Sequence, residues 1–179
     1  MRSNCYAISK GPCYVAPVID HQEFDWTTWR PVDHAVLCFL LRNDEVLLIH
    51  KKRGLGGGKI NGPGGRLEAG ESPLEAAVRE TQEEVGMTPL SPEPRGELSF
   101  VFTDGYGLHV YVFVDRRFDG VPLETEEARP FWCRLDAIPY DEMWADDRLW
   151  LPYALAGKSV SGRFIFDGDV MLTQELEIT

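Results

Sequence analysis

Cysteine is scarce in this chain: Cys5, Cys13, Cys38 and Cys133 are the only four among 179 residues. Their spacing has neither the paired pattern of a zinc site nor the density of a disulfide scaffold. Cys38 and Cys133 fall in apolar runs and read as small core residues. Cys5 and Cys13, with His21, show no ligand-like spacing. No apolar stretch approaches the ~20 residues of a membrane span, and residues 1–17 lack the continuous apolar core of a signal peptide. A cytoplasmic protein with no membrane partner is the expectation. Basic charge is also short, with 18 Lys and Arg against 29 Asp and Glu and a net charge of −11. That balance argues against a nucleic-acid polymer as partner, which would call for a basic footprint. There is no internal repeat, and no Gly-Lys-Ser/Thr closes a glycine-rich loop, so a P-loop is excluded.

The length fits one domain with an appendage. Residues 1–32 read as an N-terminal extension carrying Pro12, Pro17 and Pro31. Its Trp26 and Trp29 are expected to dock it on the folded body or on a second subunit. Residues 33–179 read as the domain. Strands are expected over 33–41 and 45–52, joined by a hairpin at Arg42-Asn43-Asp44, and their unbroken apolar residues suit burial on both faces. Further strands are expected over 97–103, 108–116 and 129–135, with a helix over 147–156. Phe164-Ile165-Phe166, Asp167-Gly168 and Val170-Met171-Leu172 give the strongest hairpin signal.

Most of the chemistry lies between residues 51 and 87. Gly54, Gly56, Gly57, Gly58, Gly62, Gly64 and Gly65 crowd one loop, where backbone can approach a ligand closely and present N–H groups to phosphate. Lys51, Lys52, Arg53 and Lys59 make a local basic cluster around it. A helix follows. Ser72 reads as its N-cap, Pro73 as its first residue, Ser72 with Glu75 as a capping box and Gly86 as its stop. Leu74, Ala77, Val78, Thr81 and Val85 are expected to pack on a sheet. Glu80, Glu83 and Glu84 share an arc of roughly 100° on this helix. Like charges at that spacing destabilise a bare helix. A hard divalent cation with oxygen ligands would relieve them. Arg79 is placed to pair with them or with Glu71. Glu-rich helical faces are ordinarily just solvated; the adjoining glycine loop favours a metal-dependent phosphate site here.

These residues resemble the Nudix box. Its pattern is Gly, five residues, Glu, seven residues, Arg-Glu, an apolar residue, any residue, Glu-Glu, any residue, Gly and an apolar residue. Gly65, Glu71, Arg79, Glu80, Thr81, Glu83, Glu84, Gly86 and Met87 fill it, Thr81 standing where a bulkier aliphatic is common. The resemblance implies an α/β (α+β) Nudix fold, a mixed β-sheet sandwiched between helices, with the catalytic helix following the glycine-rich loop. It also implies hydrolysis of a nucleoside diphosphate linked to another group.

From about Val36 to Ile178 the chain is similar to the MutT-like oxidised purine nucleoside triphosphate diphosphatases, most of all their vertebrate-type branch. The shared features are Lys51-Lys52-Arg53-Gly54, Asn61-Gly62, Glu127 with Arg129-Pro130, Met143-Trp144-Ala145-Asp146-Asp147 with Trp150 and Pro152, and the Phe164/Phe166 hairpin. The resemblance implies that Asn61 contacts the base, Trp144 stacks on it, Asp146 and Asp147 read the purine edge, and Phe100 lines the pocket. Two adjacent buried carboxylates do not both ionise readily, so one should stay protonated and offer a donor beside an acceptor. The plainer reading makes Asp146 or Asp147 a helix cap and Trp144 a core residue. Leu55 replaces an aromatic at the pocket wall and Val36 a hydroxyl-bearing residue, which weakens the expected preference for an oxidised base.

By the same resemblance, Mg²⁺, with Mn²⁺ as substitute, binds Glu80, Glu83, Glu84, the Gly64 carbonyl and Glu127. Glu80 or Glu83 acts as general base, Glu71 and Arg79 orient the helix, and Lys51, Lys52 and Arg53 hold the outer phosphates. The expected substrate is a purine nucleoside triphosphate such as 8-oxo-dGTP, cleaved to monophosphate and pyrophosphate by a monomer or dimer. ADP-ribose, a dinucleoside polyphosphate or an unmodified dNTP is the alternative substrate. A non-catalytic nucleotide-sensing module is the alternative from another class.

Overall fold

The structure is a computed structural model that describes residues 24–179. Cys5, Cys13, His21 and most of the expected extension lie outside the described residues.

Long apolar strands build the frame. β1 (Asp33–Arg42) runs parallel to β6 (Gly107–Asp115), which pairs antiparallel with β5 (Glu93–Phe102). β5 lies parallel to β9 (Val160–Asp167), and the expected hairpin joins β9 to β10 (Val170–Ile178). On the other side of β1, β2 (Glu45–Lys51) pairs with β8 (Ala128–Arg134) and with the two-residue β3 (Ile60–Asn61), both antiparallel. The result is one mixed eight-stranded sheet. β4 (Met87–Pro89) and β7 (Phe118–Gly120) form a separate small ladder. β3 is a departure from the sequence reading, which took residues 53–65 as unbroken loop. Ile60, buried among the core side chains, anchors it.

Both faces of the central strands are covered. Val36, Cys38, Leu40, Leu47, Ile49 and Phe113 pack with Ala76, Ala77 and Val85 of α1 (Pro73–Val85). Phe39, Leu41, Leu48, Val112 and Phe164 pack with Trp150, Leu151 and Ala154 of α2 (Asp147–Leu155). This is the sandwich expected of the fold. Cys38 and Cys133 are both buried free thiols, and burial pushes the Cys38 thiol up to about 12.

The signals that bound α1 all form. Ser72 and Glu75 cap each other's backbone, Pro73 opens the helix, and Gly86 closes it in the left-handed conformation at φ 69°. The packed face differs from the expected one. Ala76, Ala77, Thr81, Glu84 and Val85 are buried, whereas Leu74 is 47% exposed and Val78 half-buried. The helix is turned so that the stripe includes Glu84, which brings its carboxylates toward the glycine loop instead of solvent.

β1 and β2 pair only at Leu41–Val46 and Arg42–Glu45. Beyond that point they splay, and the chain from Pro63 to Leu67 fills the gap. Cys38 N–H donates to the Pro63 carbonyl (2.9 Å), Val36 N–H to the Gly65 carbonyl (2.8 Å), and Leu67 N–H to the His34 carbonyl (2.9 Å). A Cβ on Gly64 would lie 2.1 Å from the Val36 carbonyl oxygen, so no other residue fits this approach.

The segment before β1 docks on the body at Trp29. Its indole lies against the backbone of Gly107, and Val32 N–H donates to the Gly107 carbonyl (2.8 Å). Trp26 meets Trp29 edge-on at 5.4 Å, and the Arg163 guanidinium lies 5.7 Å over the Trp26 ring. Removing such a half-buried indole should forfeit about 1–2 kcal/mol. Trp29→Ala is therefore expected to lower the melting temperature by about 2–8 °C. An unchanged melting curve would remove this docking role.

Candidate active site

The splayed β1–β2 junction, the glycine strap and α1 meet at one end of a cavity of about 450 Å³. Most of the expected site residues line it: Lys51, Arg53, Asn61, Gly64, Glu80, Glu84, Phe100, Glu127, Trp144, Asp146 and Asp147. Glu71, Arg79 and Glu83 stand behind or beside that wall. Lys52 points elsewhere, its ammonium held by the Thr125 carbonyl (2.6 Å) and Glu124 (2.7 Å). The alternation of side chains along β2 explains this, because consecutive residues at a strand end face opposite ways. Lys52 is thus set apart from Lys51 and Arg53 as a phosphate contact.

At the acidic end, Arg79 organises three glutamates. Its Nε and Nη2 donate bidentately to Glu71 (2.8 and 2.7 Å), and its Nη1 reaches Glu80 (2.8 Å) and Glu83 (3.1 Å). Nη2 also donates to the Arg66 carbonyl (3.0 Å), tying the helix to the strap. Hydrogen bonds from Arg79 and from the Glu68 backbone hold the Glu71 carboxyl down at about 2. Burial raises the Glu80 carboxyl above its usual range; Arg79 opposes this, and the nearby Glu84 and Glu83 charges add to it. Glu80 presses against Gly65, where a Cβ would fall 2.3 Å from its Oε2. Glu84 is buried, accepting from Lys51 Nζ (3.0 Å) and from the Gly64 N–H (2.9 Å). Glu83 is 63% exposed at its side chain. Glu127 pairs with Arg53 across the opening.

Among the described residues, no three His, Cys, Asp or Glu groups converge into a ready-made metal cage. Arg79 and Lys51 occupy the carboxylates instead. The donor set nevertheless fits a hard divalent cation. It consists of oxygen ligands only, its half-buried Glu80 stands beside the like charges of Glu83 and Glu84 with Arg79 shared among them, and no described residue donates to the Gly64 carbonyl.

The opposite end is apolar with one acidic pair at its floor. Leu37, Phe100, Phe102, Tyr106, Leu108, Phe166 and Trp144 form the walls. Sequence reasoning missed Phe102, Tyr106 and Phe166 as wall residues. Alternation with Phe100 along β5 was the available signal for Phe102; the others are brought in by strand pairing alone. Asp146 and Asp147 are both buried. Asp146 Oδ2 accepts from Trp150 Nε1 (2.9 Å), and Asp147 Oδ2 accepts from the Trp144 N–H (3.0 Å). Asp146 precedes α2 but its side chain makes no cap bond to the helix. Its Oδ1 is buried with no hydrogen-bond partner among the described residues. Burial pushes the Asp146 carboxyl up to about 6, and burial together with the Asp146 charge raises Asp147 well above its usual range. Val36 and Leu55 also line the cavity, Leu55 with 43% of its surface exposed.

This geometry has close counterparts. A family model described as the NUDIX domain matches residues 31–154. The chain is 41% identical over 143 residues to an oxidized purine nucleoside triphosphate hydrolase of Danio rerio, covering 79% of this chain and 92% of that protein. It is 39% identical over 142 residues to the protein of the same name from Mus musculus, covering 78% and 91%. Among solved structures, a MutT protein from Bacillus halodurans superposes with a TM-score of 0.72 at 27% identity, covering 82% of this chain and 98% of that one. In sequence, in fold and in the box that joins its glycine strap to its carboxylate helix, this chain belongs to the Nudix family.

Proposed function

We propose that this protein hydrolyses oxidised purine nucleoside triphosphates, of which 8-oxo-dGTP is the type, to the nucleoside monophosphate and pyrophosphate. It would thereby clear damaged precursors from the nucleotide pool, acting as a cytoplasmic enzyme on free nucleotides. The observation that carries this reading is the buried Asp146–Asp147 pair, with an unpartnered oxygen, at the floor of an aromatic cavity whose other end is the Nudix carboxylate cluster. The names of the Danio rerio and Mus musculus relatives support it.

In this reading Trp144 supplies a stacking face and Phe100 a second wall, while Asn61 offers an amide to the base. Asp146 and Asp147 share protons so that one donates and the other accepts. An 8-oxo purine presents both kinds of group along its edge. Lys51 and Arg53 hold the outer phosphates, and Arg79 with Glu71 keeps α1 in register with the strap. Divalent metal dependence is general in the Nudix family. Glu80, Glu83, Glu84, the Gly64 carbonyl and Glu127 are the groups that would hold Mg²⁺, or Mn²⁺ in its place. Bound there, the cation would offset the triphosphate charge and acidify the attacking water. Glu80 or Glu83 takes the water proton, the water oxygen bonds to phosphorus, and the anhydride bond to the leaving pyrophosphate breaks. The aliphatic Leu55 and Val36 favour one further reading, tolerance of unmodified purine triphosphates, since neither adds stacking area or a hydrogen bond to the base.

Three outcomes are expected. In a panel of 8-oxo-dGTP, 2-oxo-dATP, dGTP, dATP and ADP-ribose with Mg²⁺, an oxidised purine triphosphate should have the highest kcat/KM and yield monophosphate and pyrophosphate. Preference for ADP-ribose would sink the base assignment. Glu84→Gln should lower kcat by about 10²-fold or more while its circular dichroism spectrum stays native; near-normal turnover would remove Glu84 from the metal site. The third concerns Asp146. Its raised pKa means the native state keeps a proton that the unfolded chain has already lost, so this group's contribution to stability is complete near pH 4 and is lost as pH rises through about 6. The melting temperature of Asp146→Asn relative to wild type should therefore climb between pH 4 and pH 7. A constant difference would mean that Asp146 titrates normally.

A further inference from the structure

Lys59 belongs to neither end of the cavity. It leaves the glycine loop just ahead of β3, and its ammonium reaches Asp169 in the β9–β10 turn (3.0 Å). The same ammonium sits 5.0 Å from the centroid of the Trp144 ring. Trp144 lines the cavity and Lys59 does not. The indole therefore stands between the nucleotide space and the cation. Two further contacts hold the ring. A Cβ on Gly56 would lie 2.8 Å from its Nε1, so the loop backbone rests directly on the indole, and Phe166 meets it edge-on at 5.4 Å.

The hairpin end of this bridge is itself anchored. Thr103 donates through its hydroxyl to Asp167 (2.6 Å) and through its N–H to the Phe166 carbonyl (2.9 Å), fastening the β9–β10 turn to the β5–β6 turn. The glycine-loop end is held by short-range backbone bonds, Gly57 N–H to the Gly54 carbonyl (3.0 Å), Gly58 N–H to the Lys51 carbonyl (2.8 Å) and Lys59 N–H to the Gly56 carbonyl (3.0 Å), which tie it to itself and to the end of β2 but not to the hairpin. Gly56 and Gly58 adopt φ of 77° and 90°, and the loop makes few side-chain contacts. A loop of this composition has high conformational entropy unless something outside it ties it down.

We infer that the Lys59–Asp169 pair is a clasp that closes the glycine loop over Trp144 against the β9–β10 hairpin, making Lys59 a positioning residue for the base. The inference rests on the proposed role of Trp144 as the base-stacking side chain. Lys59 acts through that indole: it tethers the loop that covers one edge of the ring, and its charge polarises the π-system from outside the cavity. Electron density drawn toward the cation leaves the opposite face better matched to an electron-rich oxidised purine. The effect belongs to binding and not to the chemical step, because Lys59 touches none of the carboxylates at the acidic end.

The test uses the full chain with Lys59→Met, Lys59→Arg, Asp169→Asn and the exchanged pair Lys59→Asp with Asp169→Lys. For 8-oxo-dGTP with Mg²⁺, Lys59→Met should raise KM by about three- to tenfold, the size of a partly exposed ion pair and one cation–π contact combined, with kcat within about twofold. Lys59→Arg should restore KM, and Asp169→Asn should have a smaller effect of the same sign. The exchanged pair should recover loop closure but not KM, since it moves the cation off the indole. Hydrogen exchange of the 54–58 amides in the free protein reads the clasp without any substrate. It should be faster in Lys59→Met and Asp169→Asn and near wild type in the exchanged pair. Unchanged exchange in Lys59→Met overturns the clasp, and a fall in kcat with KM unchanged overturns the positioning role. Should the wild type prefer no oxidised purine, the base reading fails by itself, and the exchange rates still decide whether the clasp exists.

Discussion

Two carboxylates of α1 lie against backbone that carries no Cβ, and the rest of the site depends on that contact. Glu84 accepts from the Gly64 N–H, and Glu80 occupies the space that a side chain at residue 65 would fill. The strap can lie so close to the helix because its other edge is hydrogen-bonded to β1, at His34, Val36 and Cys38. β1 is thus shared by both ends of the cavity: its edge holds the strap, and Val36 and Leu37 line the wall. A shift of the strap would move the acidic cluster relative to the apolar floor. Close packing makes such a shift costly, since the Gly64 approach to the Val36 carbonyl leaves no slack.

The cavity treats its two acidic groups in opposite ways. At the helix end, fixed cations supply the compensation: Arg79 serves Glu71, Glu80 and Glu83, and Lys51 serves Glu84. At the floor, Asp146 and Asp147 receive one hydrogen bond each from Trp150 and from the Trp144 backbone, with no cation in salt-bridge contact among the described residues. Burial then favours the protonated form. In the proposed function, the helix end would exchange its cations for a metal and a polyphosphate, and the floor would hold protons that can be redistributed to suit a base. In a chain of net charge −11, this division would let an anionic nucleotide approach a pocket that contains seven acidic side chains on its walls or just behind them.

Much of α1 was legible in the sequence. Ser72, Pro73, Glu75 and Gly86 bounded the helix correctly because capping is a contact between residues a few positions apart. The expected strands 33–41 with 45–52 and the hairpin 164–166 with 170–172 were equally plain, since apolar and aromatic runs flank short turns, although the hairpin strands extend over 160–167 and 170–178. The departures have separate causes. Leu74 was expected to be buried and is exposed, because the helix rotates to satisfy Glu84 against Gly64. Lys52 was grouped with Lys51 and Arg53, yet strand alternation and Glu124 turn it away. β3 was read as loop because two residues carry no periodicity, and only its pairing with β2 identifies it.

What the sequence by itself determined, then, was the local order: a capped helix, the arc shared by Glu80, Glu83 and Glu84, the glycines before it and the acidic pair at 146 and 147. Covalent geometry sets these relations, so spacing along the chain suffices to read them. Only the tertiary structure decided which side chains face one another across the cavity. The meeting of Trp144 with Gly56 and Lys59, the closure of Lys59 on Asp169 and the arrival of Phe166 beside Phe100 join segments far apart in the chain, and the same packing buries Asp146 without a partner for Oδ1. Such contacts depend on how a mixed sheet orders its strands and on which face each helix covers, and that order is settled by global packing and not by any local pattern.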